Sequence, residues 1–296
     1  LSALAHRPLS WNIDNSTFHN NGMLTGPGGA INLEAIEQIS LAFSNVFFTQ
    51  NRGSNGGAIF INLTDNTAGA ERPATFNMNH VTLSDNQADL GGAIYITGNL
   101  SIDTYKWVWQ FYNGLAKNNT ARQGGVAWTS VPTSSIDIQS TNMKNNTATS
   151  QDGTGSGGCL YFPLVMSGGT WEWKILSTVI ANNSADQDGS VIYSDTISAA
   201  SFIWNMNSVI FESNRAGGYG TIKATLLPSG QGKLSFQTVY WRQNVAATAP
   251  VLHITTGQAM TNISFSKVTI DRNQATTSEA GVLFVLTSSS PNVQIV

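Results

Sequence analysis

Among the groups able to do chemistry the carboxylates come first, and their densest set is Asp186, Asp188 and Asp195. Clustered carboxylates beside a Lys or Arg can hold Ca²⁺ and abstract a proton, and several Asp at close quarters serve glycoside hydrolysis. These three lie across one turn with no basic residue adjoining them, so the pattern reads as solvated turn residues ahead of a metal site. The four histidines, His6, His19, His80 and His253, share no ligand spacing and read as surface or corner residues. Cys159 is the single cysteine, which excludes an intramolecular disulfide. It stands where Ala30, Ala58 and Ala93 stand in other parts of the chain, so it reads as a small buried side chain. The glycines follow no phosphate-cradling pattern, and no nucleophile motif occurs. The expectation is no catalytic residue, no metal site and no cofactor.

Amides are the other polar resource. Asn-x-Ser/Thr sites occur at Asn15, Asn62, Asn99, Asn118, Asn145, Asn182 and Asn262. That is about the number which this Asn, Ser and Thr content produces by chance, so it carries no signal of secretion. Three of them, Asn118, Asn145 and Asn182, nevertheless precede the same kind of Asn in successive copies of a repeat.

That repeat is what must position every group named so far. An apolar pair, two polar residues and an Asn are followed by a small residue two places on, and then by a glycine-rich corner. Anchored on the Asn, the copies fall at Asn21, Asn51, Asn86, Asn119, Asn146, Asn183, Asn214, Asn244 and Asn273. Successive gaps are 30, 35, 33, 27, 37, 31, 30 and 29 residues, the mark of a stacked repeat architecture. A repeat without a break argues for one β-helix domain over residues 1–296.

In the copies anchored on Asn51, Asn86, Asn214, Asn244 and Asn273 apolar residues stand 10, 8, 5 and 3 places before the Asn, as Phe76, Met78, Val81 and Leu83 do before Asn86. A spacing of two puts both members of a pair on one side of a strand, and the step of three marks a bend. A period of 3.6 is absent, so the copies are not helical. Gly-Gly-Ala-Ile at 28–31, 56–59 and 91–94 opens a third strand, and its glycines suit a corner with positive φ or close backbone approach. Three short strands and three corners per copy predict an all-β, right-handed parallel β-helix of about nine coils. At ~4.8 Å per coil the rod would be about 43 Å long.

The Asn at each corner tolerates turn conformations and both donates and accepts, so stacked copies predict a hydrogen-bonded ladder. Phe48, Leu83, Ala116, Met143, Ile180 and Phe211 should stack beside it on the inside. Of the eight Trp, Trp11, Trp109, Trp173 and Trp204 hold the position ten before the Asn and Trp241 the position three before it. Trp107 and Trp171 share their face, so a buried aromatic stack is expected, with Trp128 the one candidate for exposure. Insertions at 64–72, 98–105 and 149–156 leave the regular coil, and such loops are where function tends to sit.

Composition narrows the classes further. Charged residues make up only 10% of the chain, against roughly 25% in ordinary soluble domains. A net charge of −3 supplies no basic stripe, so nucleic acid is not an expected partner. No apolar run approaches the ~18 residues of a membrane span. The chain opens on Leu1 without a charged segment and an apolar stretch behind it, and its last residues alternate like a strand. It therefore reads as part of a longer chain. Neither end reads as a capping element, which leaves truncation or end-to-end self-association into a filament as the two expectations.

The apolar-x-x-Asn signature (Phe18 to Asn21, Phe48 to Asn51, Phe211 to Asn214) and the Gly-Gly-Ala-Ile tetrapeptides resemble the repeats of the polymorphic outer membrane protein family. That family is best known from chlamydiae, with similar repeats in surface proteins of some protists. The resemblance covers nearly the whole chain, although the Gly-Gly motif decays after Gly158. It implies a right-handed β-helix displayed at the cell surface, exported as an autotransporter passenger in bacteria, with adhesion as its usual role. The expected function is thus a non-catalytic extracellular or cell-surface protein, structural or adhesive, with a cell-surface, matrix or glycan partner. The alternative is a β-helix that binds or cleaves polysaccharide.

Overall fold

The computed structural model describes residues 2–5, 9–22, 26–35, 39–64, 72–99, 105–131, 133–163, 165–257, 260–277, 283–287 and 292–295. These residues form strands and turns with no helix, and every strand pairing between them is parallel. Three sheets run along a solenoid. The second sheet, from Thr17–His19 to Thr269–Asp271, has nine strands. Nine stacked strands make eight steps, so the chain winds through about eight turns.

The apolar pairs build two of these sheets. The pair ten and eight places before each Asn lies in the first sheet, where Phe76 sits on Leu41 and Met78 on Phe43. The residue three places before the Asn lies in the second sheet, where Phe18, Phe48, Leu83, Ala116, Met143, Ile180, Phe211, Trp241 and Ile270 follow one another in register. The strand opened by Gly-Gly-Ala-Ile joins the first sheet. In one coil it fuses with the strand that follows it into the 16-residue Ile192–Asn207. The third sheet belongs to the two residues directly after the Asn, from Thr120–Ala121 to Gln274–Ala275. In earlier coils single bridges through Gly22, Arg52 and Gln87 hold the same place.

Each coil bends at three residues in the left-handed region. The first bend is one column of residues that starts at Asn15, Asn45 and His80 and ends at Lys267, with φ near 50°. The second is the residue just before the ladder Asn, from Asn20 and Gln50 to Arg272. The third is a glycine in seven coils, as at Gly56 (φ 66°) and Gly91 (φ 60°), and Ala249 (φ 45°) in another. A left-handed residue with a Cβ costs roughly 1–2 kcal/mol, and Asn and Asp bear it best, which accounts for their abundance at the first two bends.

One continuous core fills the interior, from Ala30 to Phe265. Phe211 lies flat on Trp241 (5.4 Å, 8° between planes) and Phe236 on Phe265 (5.0 Å, 9°), so aromatic rings continue the ladder inside. Trp107, Trp109, Trp171, Trp173, Trp204 and Trp241 are fully buried, while Trp11 in the first described coil is half-buried. In places a large ring has a smaller neighbour, as where Trp107 stands over Ala74 and where Trp109 and Trp173 flank Ile136, while Trp173 and Trp204 meet directly. The unequal pairings let large rings share the space left by small neighbours.

Candidate functional site

The most highly organised polar feature is the asparagine column. Asn146 shows its geometry. The side-chain amide donates to Asn183 Oδ1 (3.0 Å) and to the Ala116 carbonyl (3.0 Å), while the backbone N–H of Asn146 donates to the same Asn183 Oδ1 (2.9 Å). In turn Asn146 Oδ1 accepts from the backbone N–H (3.1 Å) and side-chain amide (3.0 Å) of Asn119. Both amide protons and both lone pairs are used. The link to the next Asn recurs at every step from Asn21 to Asn273. Asn51, Asn86, Asn119, Asn146, Asn183, Asn214 and Asn244 are buried, so the bonds among them form away from competing water, while those to Asn21 and Asn273 at the ends are part-buried. A column whose capacity is spent on itself has nothing left for a ligand; its role is to hold coil on coil.

A second column runs along the outer face of the first sheet. Asn32, Phe60, Tyr95, Trp128, Tyr161, Tyr193, Lys223 and His253 occupy successive coils in register. Phe60 stacks on Tyr95 (5.4 Å, 6°), Tyr95 on Trp128 (4.4 Å, 11°) and Tyr161 on Tyr193 (5.0 Å, 17°). Trp128, the candidate for exposure, is half-buried within this stack. Rings stacked face to face show only their edges to solvent, whereas a sugar packs on a ring face. The column therefore binds coils together on the outside as the core does inside.

Its far end carries charge. Lys223 Nζ lies 3.0 Å from Asp188 Oδ2, 4.8 Å above the Tyr193 ring and 5.6 Å from that of Tyr219. Asp188 also accepts the Tyr219 backbone N–H (2.8 Å). The Tyr219 and His253 rings meet at 4.3 Å. Burial pushes the Tyr193 hydroxyl up to about 12, helped by the carboxylates of Asp195 and Asp188. Burial also lowers the His253 pKa, with the Lys223 charge acting in the same direction and Asp188 against it. Asp188 thus finds a basic partner from the next coil, which its sequence neighbours do not supply, whereas Asp186 and Asp195 are exposed. No group of three His, Cys, Asp or Glu able to hold a metal occurs among the described residues.

The remaining residues fall as follows. Cys159 is buried, and burial pushes its thiol well above the ordinary range, as for an inert core residue. His19 is exposed and bonded to Thr49 (2.8 Å), His80 sits at a left-handed corner, and His6 lies outside the described residues. Asn15, Asn118, Asn145 and Asn182 are exposed at left-handed corners. Asn62 and Asn262 are half-buried on strands, and the side chain of Asn99 is outside the description. Most of the insertions at 64–72 and 98–105 also lies outside it, and only the one at 149–156 is fully described. There Asp186 Oδ2 accepts from Thr149 Oγ1 (2.7 Å) and Ser150 N (2.9 Å), and Asp152 accepts from Ser150 and Thr154. No helix among the described residues is long and apolar enough to cross a membrane.

Comparison with known proteins finds no matching family model, no matching curated protein and no matching solved structure. The parallel β-solenoid stands on the coordinates, and the resemblance to polymorphic outer membrane protein repeats rests on the motif residues alone.

Proposed function

We propose that this chain is a non-catalytic rod, a structural or adhesive segment that works outside the cell or on its surface, of the kind the polymorphic outer membrane repeats represent. The carrying observation is the asparagine column, which commits the best-ordered polar groups of every coil to stacking. Lys223, Asp188 and Tyr193 are likewise engaged between coils, which supports a stiff spacer over a catalytic centre. A cell-surface, matrix or glycan molecule is the partner class. The exposed corners at Asn118, Asn145 and Asn182 are acceptors for a row of N-linked glycans if the chain passes through a glycosylating compartment.

The test couples two readouts. Beads coated with the purified chain are assayed for attachment to cells, and the soluble chain is incubated with neutral and acidic polysaccharides. Attachment without new reducing ends or unsaturated products is expected. Turnover of any polysaccharide would overturn the non-catalytic reading. Polysaccharide binding is the second reading, and the insertion at 149–156 is the observation in its favour.

A further inference from the structure

The insertion does more than lengthen a turn. It forms the wall of an open groove of about 550 Å³, laid across the third sheet of three successive coils. Gln87 and Asp89 line it from one coil, Arg122 from the next, and Thr149, Ser150 and Gln151 from the insertion. The wall is braced from both sides. Asp186 of the following coil holds Thr149 and Ser150, and inside the loop Gly153 N donates to Ser150 O (3.0 Å) and Thr154 N to Ser150 Oγ (2.7 Å). A groove with a fixed wall keeps its shape without a ligand, which lowers the entropic cost of binding.

Its charges are unspent. Lys223, Lys174, Arg242 and Arg272 all pair with carboxylates, but Arg122 and Asp89 form no ion pair among the described residues. The floor has no backbone to offer. Thr120 N donates to Asn86 O (2.9 Å) and Thr147 N to Asn119 O (2.9 Å), so an extended peptide cannot add itself as a strand. What remains is one free guanidinium, one free carboxylate, three amide or hydroxyl side chains within reach, and coil steps of ~4.8 Å, about the length of a pyranose ring.

We infer that this groove is a binding site for an acidic saccharide, with Arg122 forking onto a uronate carboxylate while Asp89, Gln87 and Gln151 bond the ring hydroxyls. The inference rests on the second, polysaccharide-binding reading, in which the rod adheres to a glycan, and gives it a site and a ligand class. The probe is tetragalacturonate, titrated into the full chain by calorimetry. Saturable binding at one site is expected. Arg122→Ala should weaken it about tenfold or more, and Arg122→Lys should weaken it less, because the charge survives and the fork does not. Arg122 is exposed, so neither change should alter the melting temperature. Absence of binding, equal binding by Arg122→Ala, or equal binding of the methyl-esterified tetramer would each overturn the inference. A chain that attaches to cells but ignores tetragalacturonate loses this inference and keeps the adhesive reading, and a chain that does neither loses both.

Discussion

Two corners of the same coil behave differently along the rod. The Asn corner is the same in all nine copies, from Asn21 to Asn273. The Gly corner is Gly-Gly through Gly158 and then reads Gly189-Ser190, Tyr219-Gly220, Ala249-Pro250 and Ala280-Gly281, with one glycine or none. A Cβ on Gly57, Gly92 or Gly125 would meet a carbonyl oxygen of the next coil at 2.2 Å. On Gly220 the nearest atom, Ala249 O, is 2.7 Å away. The Gly corner is a problem of space, and each coil can ease it by shifting its own backbone. The Asn corner is a problem of partners. Each amide is the acceptor of the coil before and the donor to the coil after, so no coil can change alone.

The sharpest way to break this comparison is Asn146→Ala. It leaves the backbone and side-chain donors of Asn119 buried and unpaired, each costing about 1–3 kcal/mol, and takes one donor away from the Ala116 carbonyl. A loss on the order of 4 kcal/mol in chemical denaturation is expected, and a loss under ~1 kcal/mol would show the column to be dispensable. Gly92→Ala comes next. Its Cβ must displace backbone rather than a side chain, at a cost of about 3 kcal/mol, the upper end of overpacking. Ser190→Ala, at the equivalent place in a later coil, should change stability by less than ~0.5 kcal/mol. The Ser190 hydroxyl is buried without a partner among the described residues, so its removal forfeits no bond. Equal costs for Gly92→Ala and Ser190→Ala would erase the distinction between the two halves.

The smallest effect is local. Hydrogen bonds from Ser150 and Thr154 hold the Asp152 carboxyl down to about 2 from an ordinary value of 3.8. A depressed folded-state pKa contributes order that is fully present above the ordinary value and is lost as pH falls toward 2. Protection factors of the amides at residues 150–154, taken against the intrinsic exchange rate at each pH, should therefore fall between pH 4 and about 2. The Asn column carries no titrating group and should keep its protection, and simultaneous loss of both would show that the insertion and the column are coupled.

Which parts were legible in the sequence follows from the same contrast. The Asn ladder and its flanking pairs were visible because a two-sided constraint forces the same residue type into every coil. The third strand was harder. Gly-Gly-Ala-Ile announces a corner and then a strand, yet whether that strand starts a new sheet or returns to the first depends on the angle of the bend, which residue types do not specify. The outer aromatic column was missed as a column. Phe60, Tyr95 and Trp128 are separated by varying loop lengths, and the column becomes visible only when the Asn residues are aligned and the ninth residue after Asn51, Asn86, Asn119, Asn214 and Asn244 is read down, with other offsets in the remaining coils. The Lys223 to Asp188 pair, 35 residues apart, was hidden for the same reason. The groove was half legible. Its wall was flagged as an insertion, but its floor and Arg122 come from coils that look ordinary.

One consequence remains in the asparagine column. In each Asn one side-chain N–H and the backbone N–H point toward the coil that follows in sequence, the oxygen points toward the coil that precedes it, and the second side-chain N–H returns to a carbonyl of that preceding coil. The column is therefore an arrow, a file of amide dipoles aligned head to tail over the length of the solenoid. Each coil brings the acceptor for which the previous coil holds two donors. The same polarity governs any extension. A further coil, or a second solenoid of this kind, continues the file only when it arrives with its own arrow in the same sense; reversed, it would set donor against donor beyond the last coil, or oxygen against oxygen before the first.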